Sequence, residues 1–247
     1  FIKELEIALE RGDIDIAMHS VKDVPSIMPE GFELAVILER DEPWDCFLSP
    51  IAKTIDDLPT GATIGTSSPR RDALTRAYRP DLEIVTFRGN ADTRIQKMEN
   101  GEVDATYLAL AGLTRIGMQD KATQILGPDI MLPAGGQGAL CIEILSNNDE
   151  MRNLLQPLNH EQSYRCVMAE RHCLAEMDGD CHTPIAAYAE YIGETQIRLR
   201  ALASRVDGSE IIRHEMRASA DSYIALGKEV GHAIKDQMSD DFFDIAA

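Results

Sequence analysis

Positive charge is scarce in this 247-residue chain: 24 Lys and Arg stand against 42 Asp and Glu, a formal net charge of −18, and only seven of the basic residues are lysines. That balance argues against an unselective nucleic-acid binder, which needs cationic surface to displace counterions from phosphates. No apolar run reaches the roughly 20 residues that carry a helix across a bilayer. Internal repeats, low-complexity tracts and long linkers are also missing. The cysteines, at 46, 141, 166, 173 and 181, are odd in number and irregularly spaced. They define no disulfide framework and suit a reducing compartment. The chain opens on Phe instead of Met, and residues 1–10 already follow a helical pattern. It reads as an element joined midway, so upstream residues, including any targeting peptide, are expected before it.

What is present describes a soluble globular protein, with 44% hydrophobic and 27% charged residues. A chain of this length buries roughly 70–75% of its unfolded surface, enough for a core without disulfides. The scarce positive charge is also unevenly placed. Six of the 17 arginines, at 70, 71, 76, 79, 88 and 94, fall in residues 66–94, a window of net charge +2 in a chain whose remainder sums to −20. The six are either solvated helix-face residues or a local site for a small anion. Arg offers a planar fork that matches a carboxylate or phosphate, which favours the second reading for the cluster as a whole.

Strand patterns are expected at 13–19, where Ile14, Ile16 and Met18 alternate with other residues, and at 32–38, 45–49, 62–65, 82–87, 105–109 and 139–144. Helical patterns fall at 69–78, 91–100 and 151–158. Strands alternating with helices imply α/β architecture with a mostly parallel sheet or sheets. The last third differs, with a long helix over about 160–177 that Asn159 can cap. Strand-like runs at 185–192, 196–204 and 210–218 are joined by turns at Gly193-Glu194 and Asp207-Gly208, and a helix over 220–238 follows. That order predicts a small α+β domain with an antiparallel meander.

Three places could carry chemistry. In Gly65-Thr66-Ser67-Ser68-Pro69-Arg70-Arg71 a strand delivers the chain to a helix that Ser68 can cap and Pro69 can start. The free N–H groups of that helix end, the hydroxyls and both Arg side chains could converge on one anion, or the segment is an ordinary capped helix. Phe87-Arg88-Gly89-Asn90-Ala91-Asp92-Thr93-Arg94 repeats the arrangement, and two such junctions in one sheet would face one crevice. Second, in His19-Ser20-Val21-Lys22-Asp23-Val24-Pro25, Asp23 is either a turn residue or an acid able to stabilise a developing cation or move a proton. A metal role for His19 with Asp23 is weak, since no second His or Cys lies at ligand spacing. Third, Cys181 sits in the polar loop Asp178-Gly179-Asp180-Cys181-His182. Cys166 and Cys173 instead share a helix face, and Cys46 and Cys141 sit in apolar strands as small core residues. The two neighbouring carboxylates argue against a depressed thiol pKa, which makes Cys181 an attachment point or an unreactive surface thiol.

These motifs, together with Leu108-Ala109-Leu110-Ala111-Gly112-Leu113 followed by Arg115, Leu132-Pro133-Ala134-Gly135-Gly136-Gln137-Gly138, and Gly179-Asp180-Cys181, resemble the porphobilinogen deaminase (hydroxymethylbilane synthase) family over the whole visible length. The resemblance implies two periplasmic-binding-protein-like α/β domains flanking a cleft, plus a small C-terminal α+β domain with a three-stranded antiparallel sheet. Expected boundaries are 1–40 with 136–157 for the first domain, whose N-terminal part precedes Phe1, then 41–135 and 158–247. The implied transferase condenses four porphobilinogen molecules head to tail onto a dipyrromethane cofactor held by a thioether, losing ammonia at each step. Water then releases hydroxymethylbilane for tetrapyrrole and heme biosynthesis.

Carried over by resemblance, Cys181 is the attachment point, and Asp23 is the catalytic acid that contacts the pyrrole nitrogens and stabilises the cationic azafulvene intermediate. Cofactor contacts fall to Ser20, Lys22, Thr66, Ser67, Ser68, Arg70, Arg71, Arg88, Gly89 and Arg94, and substrate contacts to Arg88, Arg94, Arg115 and Gln137. The sequence departs from the family in Asp180, where glycine is usual, and in Pro69, where a larger apolar residue is usual. No metal, nucleic acid or membrane partner is expected, and a cytoplasmic monomer is the expected form. Two other classes stay open: a non-catalytic two-lobed anion-binding module, and, more remotely, a metalloprotein using Cys181, His182 and His172.

Overall fold

A computed structural model describes residues 2–178 and 183–244. The first lobe opens with helix α1 (Ile2–Arg11) and strands β1 (Ala17–Ser20) and β2 (Phe32–Ile37). The chain then builds β3 (Asp45–Leu48), β4 (Thr63–Thr66), α2 (Pro69–Tyr78), β5 (Glu83–Thr86), α3 (Ala91–Glu99), β6 (Ala105–Ala109), α4 (Leu110–Arg115) and β7 (Gln124–Leu126). It returns through β8 (Leu140–Leu145) and α5 (Asp149–Leu155). Helix α6 (Glu161–Glu176), strands β9 (Ile185–Ile192), β10 (Gln196–Ser204) and β11 (Ile211–Ser219), and helix α7 (Tyr223–Lys235) complete the described chain.

Three sheets result. The first runs β1-β8-β2, the second β5-β4-β6-β3-β7 and the third β11-β10-β9. This gives two α/β lobes and a small α+β unit with a three-stranded antiparallel sheet, the expected fold class. The expectation of mostly parallel sheets needs correcting. Only β4 pairs in parallel fashion, with β5 and β6, whereas β3 runs antiparallel to β6 and β7, and β8 runs antiparallel to both its neighbours. The cause is the crossing of the chain between lobes: β3 and β8 are the strands that follow the two crossings, and each meets its sheet from the opposite direction.

Strand β1 corrects a second expectation. Gly12, at φ +70°, ends α1, and the Asp13 amide donates to the Ala8 carbonyl at 2.9 Å, so only residues 17–20 become strand. Its buried residues are Ala17 and His19, whereas Ile16 and Met18 face outward. Ala17 packs with Leu9 and Phe32, and the His19 Nε2 lies 2.8 Å from the buried Glu143 Oε2. His19 is thus spoken for inside the first lobe. At α6 the N-cap is His160 instead of Asn159; the Asn159 Oδ1 accepts the Ile37 amide at 3.0 Å, fastening the helix start to β2.

The lobes are joined where residues 38–45 and 127–139 cross, with the Asp41 amide donating to the Gly138 carbonyl at 3.2 Å. Gly138 holds φ +89°, and a Cβ there would stand 2.5 Å from the Asp41 carbonyl oxygen, so only glycine permits the crossing. Helix α6 packs against both the first lobe and the C-terminal unit. Val167 joins the first-lobe core with Val21 and Cys141, while Cys166 and Cys173 enter the C-terminal core beneath the third sheet. All four described cysteines are buried and free, as core residues should be, and burial raises the thiols of Cys46, Cys141 and Cys166 to about 12.

Candidate functional site

Strands β4 and β5 lie side by side and parallel, so their carboxyl ends deliver the chain to α2 and α3 at the same edge of the second sheet. Ser68 caps α2 by accepting the Arg71 amide at 3.4 Å, and Pro69 opens it; Asn90 caps α3 by accepting the Thr93 amide at 2.9 Å. The Ser67 hydroxyl donates to the Phe87 carbonyl at 2.7 Å and ties the two junctions together. A cavity of about 520 Å³ opens at this edge, between it and the loop after β1. That volume is ordinary for a small-molecule site.

Both arginines at the start of α2 line the cavity, but neither is a free fork. Arg70 and Arg71 are only 4% and 6% exposed, and both bond the fully buried Asp45 at the start of β3. Arg70 Nη1 donates to Asp45 Oδ2 at 2.8 Å and to the Leu132 carbonyl at 2.8 Å, and its Nη2 to Oδ1 at 3.2 Å. Arg71 donates to Oδ1 from Nε at 2.9 Å and Nη2 at 2.7 Å, and from Nη1 to the Tyr107 carbonyl at 2.9 Å. Each guanidinium has five N–H groups, so at most two remain on each for a ligand. Burial would raise the Asp45 carboxyl; the two guanidinium charges and their hydrogen bonds outweigh it and hold the group well below the usual carboxylate range. Sequence reading did not single out Asp45, whose one signal is an acid heading an otherwise apolar strand.

The opposite wall comes from the 3-10 turn Val21–Asp23 and the residues after it. Lys22, Asp23, Val24, Pro25, Ser26 and Ile27 all line the cavity. Lys22 stays open to the cleft but is hemmed in by protein. Loss of solvent, and then the charge of Arg71, draw its ammonium down to about 8. Arg94 reaches the same cavity from α3, and its buried Nε has no partner among the described residues. Burial and the nearby Arg71 lower its pKa. Lys22, Arg70, Arg71 and Arg94 set against Asp23 and Asp45 leave an excess of two positive charges around the cleft. An organic polyanion would find donors there.

The remaining expected residues are placed as follows. Gln137 lines the cavity but is buried, its Nε2 bonded to the Pro43 carbonyl at 2.6 Å. Thr66 is buried, its Oγ1 accepting the Ser68 amide at 3.1 Å, and Ser20 is half-buried at the end of β1; neither is among the cavity-lining residues. Arg88 and Gly89 are exposed and also lie off the cavity wall. Arg115 is drawn to the lobe junction, where Nη2 donates to Asp41 Oδ2 at 2.6 Å and to the Gly138 carbonyl at 3.0 Å. Cys181, with Gly179, Asp180 and His182, lies outside the described residues. Thr183 and Ile185, just after that segment, line the cavity, as does Leu174 from α6.

Fold and site together define a two-lobed α/β protein with an anion-receptive cleft, joined to a third unit whose residues share the cleft wall. The family model described as "Porphobilinogen deaminase, dipyromethane cofactor binding domain" matches residues 1–153, and "Porphobilinogen deaminase, C-terminal domain" matches residues 164–236. The chain therefore belongs to the porphobilinogen deaminase family, transferases of tetrapyrrole synthesis that take porphobilinogen as a small-molecule substrate. Among solved structures it is similar to an ABC-transporter periplasmic substrate-binding protein from Coxiella burnetii, at 16% identity and TM-score 0.43 over 62% of this chain and 74% of that one. It is also similar to a nutrient-binding protein from Burkholderia cenocepacia, at 13% identity and TM-score 0.42 over 70% and 80%. Likenesses of that size add nothing to the fold read from the strand order.

Proposed function

We propose that this chain is a porphobilinogen deaminase, condensing four porphobilinogen molecules head to tail onto a dipyrromethane held by a thioether at Cys181, with release of ammonia and, after hydrolysis, hydroxymethylbilane. The observation that carries the reading is the pairing of one cleft carboxylate, Asp23, with a facing wall of Ser67, Ser68, Arg70, Arg71 and Arg94, in a chain of this family. A dipyrromethane fits the residues present, because its carboxylates need donors and the cleft offers the unpartnered Arg94 Nε, the Lys22 ammonium and the remaining guanidinium N–H groups. When bound, that group supplies a nucleophilic pyrrole carbon at which chain growth begins.

The roles follow from charge. Porphobilinogen loses its side-chain amine as ammonia, so positive charge develops on the reacting pyrrole. A carboxylate already fixed in the cleft favours that charge without the reorganisation water would need. Asp23 fills this role, while Lys22, Arg70, Arg71 and Arg94 hold acetate and propionate groups, with Ser67 and Ser68 assisting. Arg88, and Arg115 on release from Asp41, are secondary sites for the same groups. The proposal includes the division into 1–40 with 136–157, 41–135 and 158–247, which the three separate sheets support. It also includes a monomer at work in the cytoplasm.

Intact mass tests attachment. The protein is expected to be heavier than its sequence by one dipyrrole unit, and Cys181→Ser to abolish both the excess and turnover. Active protein of unmodified mass would refute the assignment, and ligand-dependent stabilisation without ammonia release would favour a plain anion-binding module. The KM for porphobilinogen is also expected to rise as pH increases through about 8, where Lys22 loses its charge, and to lose that rise in Lys22→Met. A wild-type KM that stays flat from pH 7 to 9 would remove Lys22 from the carboxylate site.

A further inference from the structure

Beside the cleft lies a buried cation that the functional reading leaves unused. Arg171, on α6, is 4% exposed, and among the described residues no carboxylate pairs with it. Its guanidinium instead collects three consecutive carbonyl oxygens from the first-lobe loop after β1: Nη1 donates to Val24 at 3.3 Å, and Nη2 to Pro25 at 2.6 Å and Ser26 at 3.2 Å. A charge buried among carbonyls is costly as a means of filling a core, where an apolar side chain of similar volume serves as well or better. Its effect here is geometric, since a planar fork can span neighbouring carbonyls in a way the point charge of a lysine cannot.

The three carbonyls follow Lys22-Asp23 directly, and Val24, Pro25 and Ser26 all line the cavity. The backbone here has few other ties: among the described residues, none of the amides of Ser26, Ile27 and Met28 donates to a backbone carbonyl, and the apolar anchors are Val24 and Met28, which pack on the first-lobe core. Helix α6, by contrast, is firmly tied. The neighbouring Glu170 accepts Arg40 at 2.6 Å, the Gly136 amide at 2.7 Å and the Ala189 amide at 2.7 Å, while Leu174 one turn on reaches the cavity. The same helix leads along the chain towards Cys181.

We propose that Arg171 is a positioning residue for Asp23, its guanidinium fixing the loop after Asp23 to the helix that precedes the attachment cysteine, so that carboxylate and growing chain keep one register. This rests on the reading of Asp23 given above. In Arg171→Lys the charge stays but the fork is lost. That variant is expected to carry the wild-type mass excess and KM while kcat falls about tenfold to a hundredfold, the scale of a small misplacement of reacting groups. Amide hydrogen exchange over residues 21–27 should quicken about tenfold, with β9 unchanged. In an Asp23→Asn background, Arg171→Lys should lower kcat by no more than about twofold further, since there is no longer a carboxylate to place. Arg171→Gln, which keeps donors without the charge, is expected to fall between wild type and Arg171→Lys and serves if the latter does not fold. Unchanged exchange over 21–27, or an equal loss of kcat in the wild-type and Asp23→Asn backgrounds, would overturn the positioning role. Failure of the wild-type protein to release ammonia would instead overturn the reading of the site itself, and the exchange result stands apart from that outcome.

Discussion

An Asp45→Asn variant is expected to unfold about 3–5 kcal/mol more easily than the wild type, the usual consequence of removing one partner from a buried ion pair. The size follows from the geometry: one fully buried carboxylate accepts from both Arg70 and Arg71, and neither guanidinium has solvent to fall back on. Asparagine keeps one oxygen for hydrogen bonding but leaves two buried cations uncompensated beside Lys22 and Arg94. Urea denaturation would register the loss as a lower midpoint at unchanged slope. The carboxyl is held below its ordinary value in the folded protein, so its contribution is present above the unfolded carboxylate range and lost only as pH falls through the lower, folded value. The gap between wild type and variant should accordingly stay constant from pH 5 to 8 and narrow only in strong acid. A variant within about 1 kcal/mol of wild type at pH 7 would show that the pair is not the electrostatic keystone of this edge.

The second large effect concerns Asp23→Asn, which is nearly isosteric and removes only the charge. The variant should carry the same mass excess as the wild type, because attachment is assigned to Cys181, yet turn over about a hundredfold to a thousandfold more slowly, as when a preorganised electrostatic partner of the transition state is lost. Near-normal hydroxymethylbilane formation would take Asp23 out of the chemistry. Loss of the mass excess would give it a part in holding the cofactor instead. The two variants separate the functions proposed for two acids at this edge: Asp45, buried behind the cleft wall, holds the arginines, and Asp23, on the cleft wall, is assigned to the reacting ring.

Local signals in the sequence were strong wherever a turn or cap residue sat beside a periodic run. Pro69–Tyr78 begins where Ser68 and Pro69 say it should, and Ile185–Ile192 ends and Gln196–Ser204 begins on either side of the Gly193 turn. Helix α4 and strand β7 went unread because six and three residues are too few to show a period. Residues 13–19 misled for a related reason. Alternating Ile14, Ile16 and Met18 read as one strand over 13–19, but only 17–20 are strand, and the face turned inward carries Ala17 and His19, the latter paired with Glu143 on β8. Composition could not announce a polar pair inside a sheet.

For the site, local sequence was enough to tell which chemistry was on hand: an acid after β1, two capped helix ends bearing arginines, a cysteine following Gly179-Asp180, and a cluster of positive charge in an acidic chain. Short-range rules suffice for that, since capping, turn formation and charge clustering depend on residues a few positions apart. Only the tertiary structure decided how the charges were spent. Asp45 lies 25 and 26 positions from the arginines it binds, Asp41 lies 74 from Arg115, and Arg171 lies 145 to 147 from the carbonyls it gathers. Partnerships over such separations are fixed by where strands cross between lobes and by which polar groups are left unsatisfied in the packed interior, and neither leaves a periodic mark on the sequence.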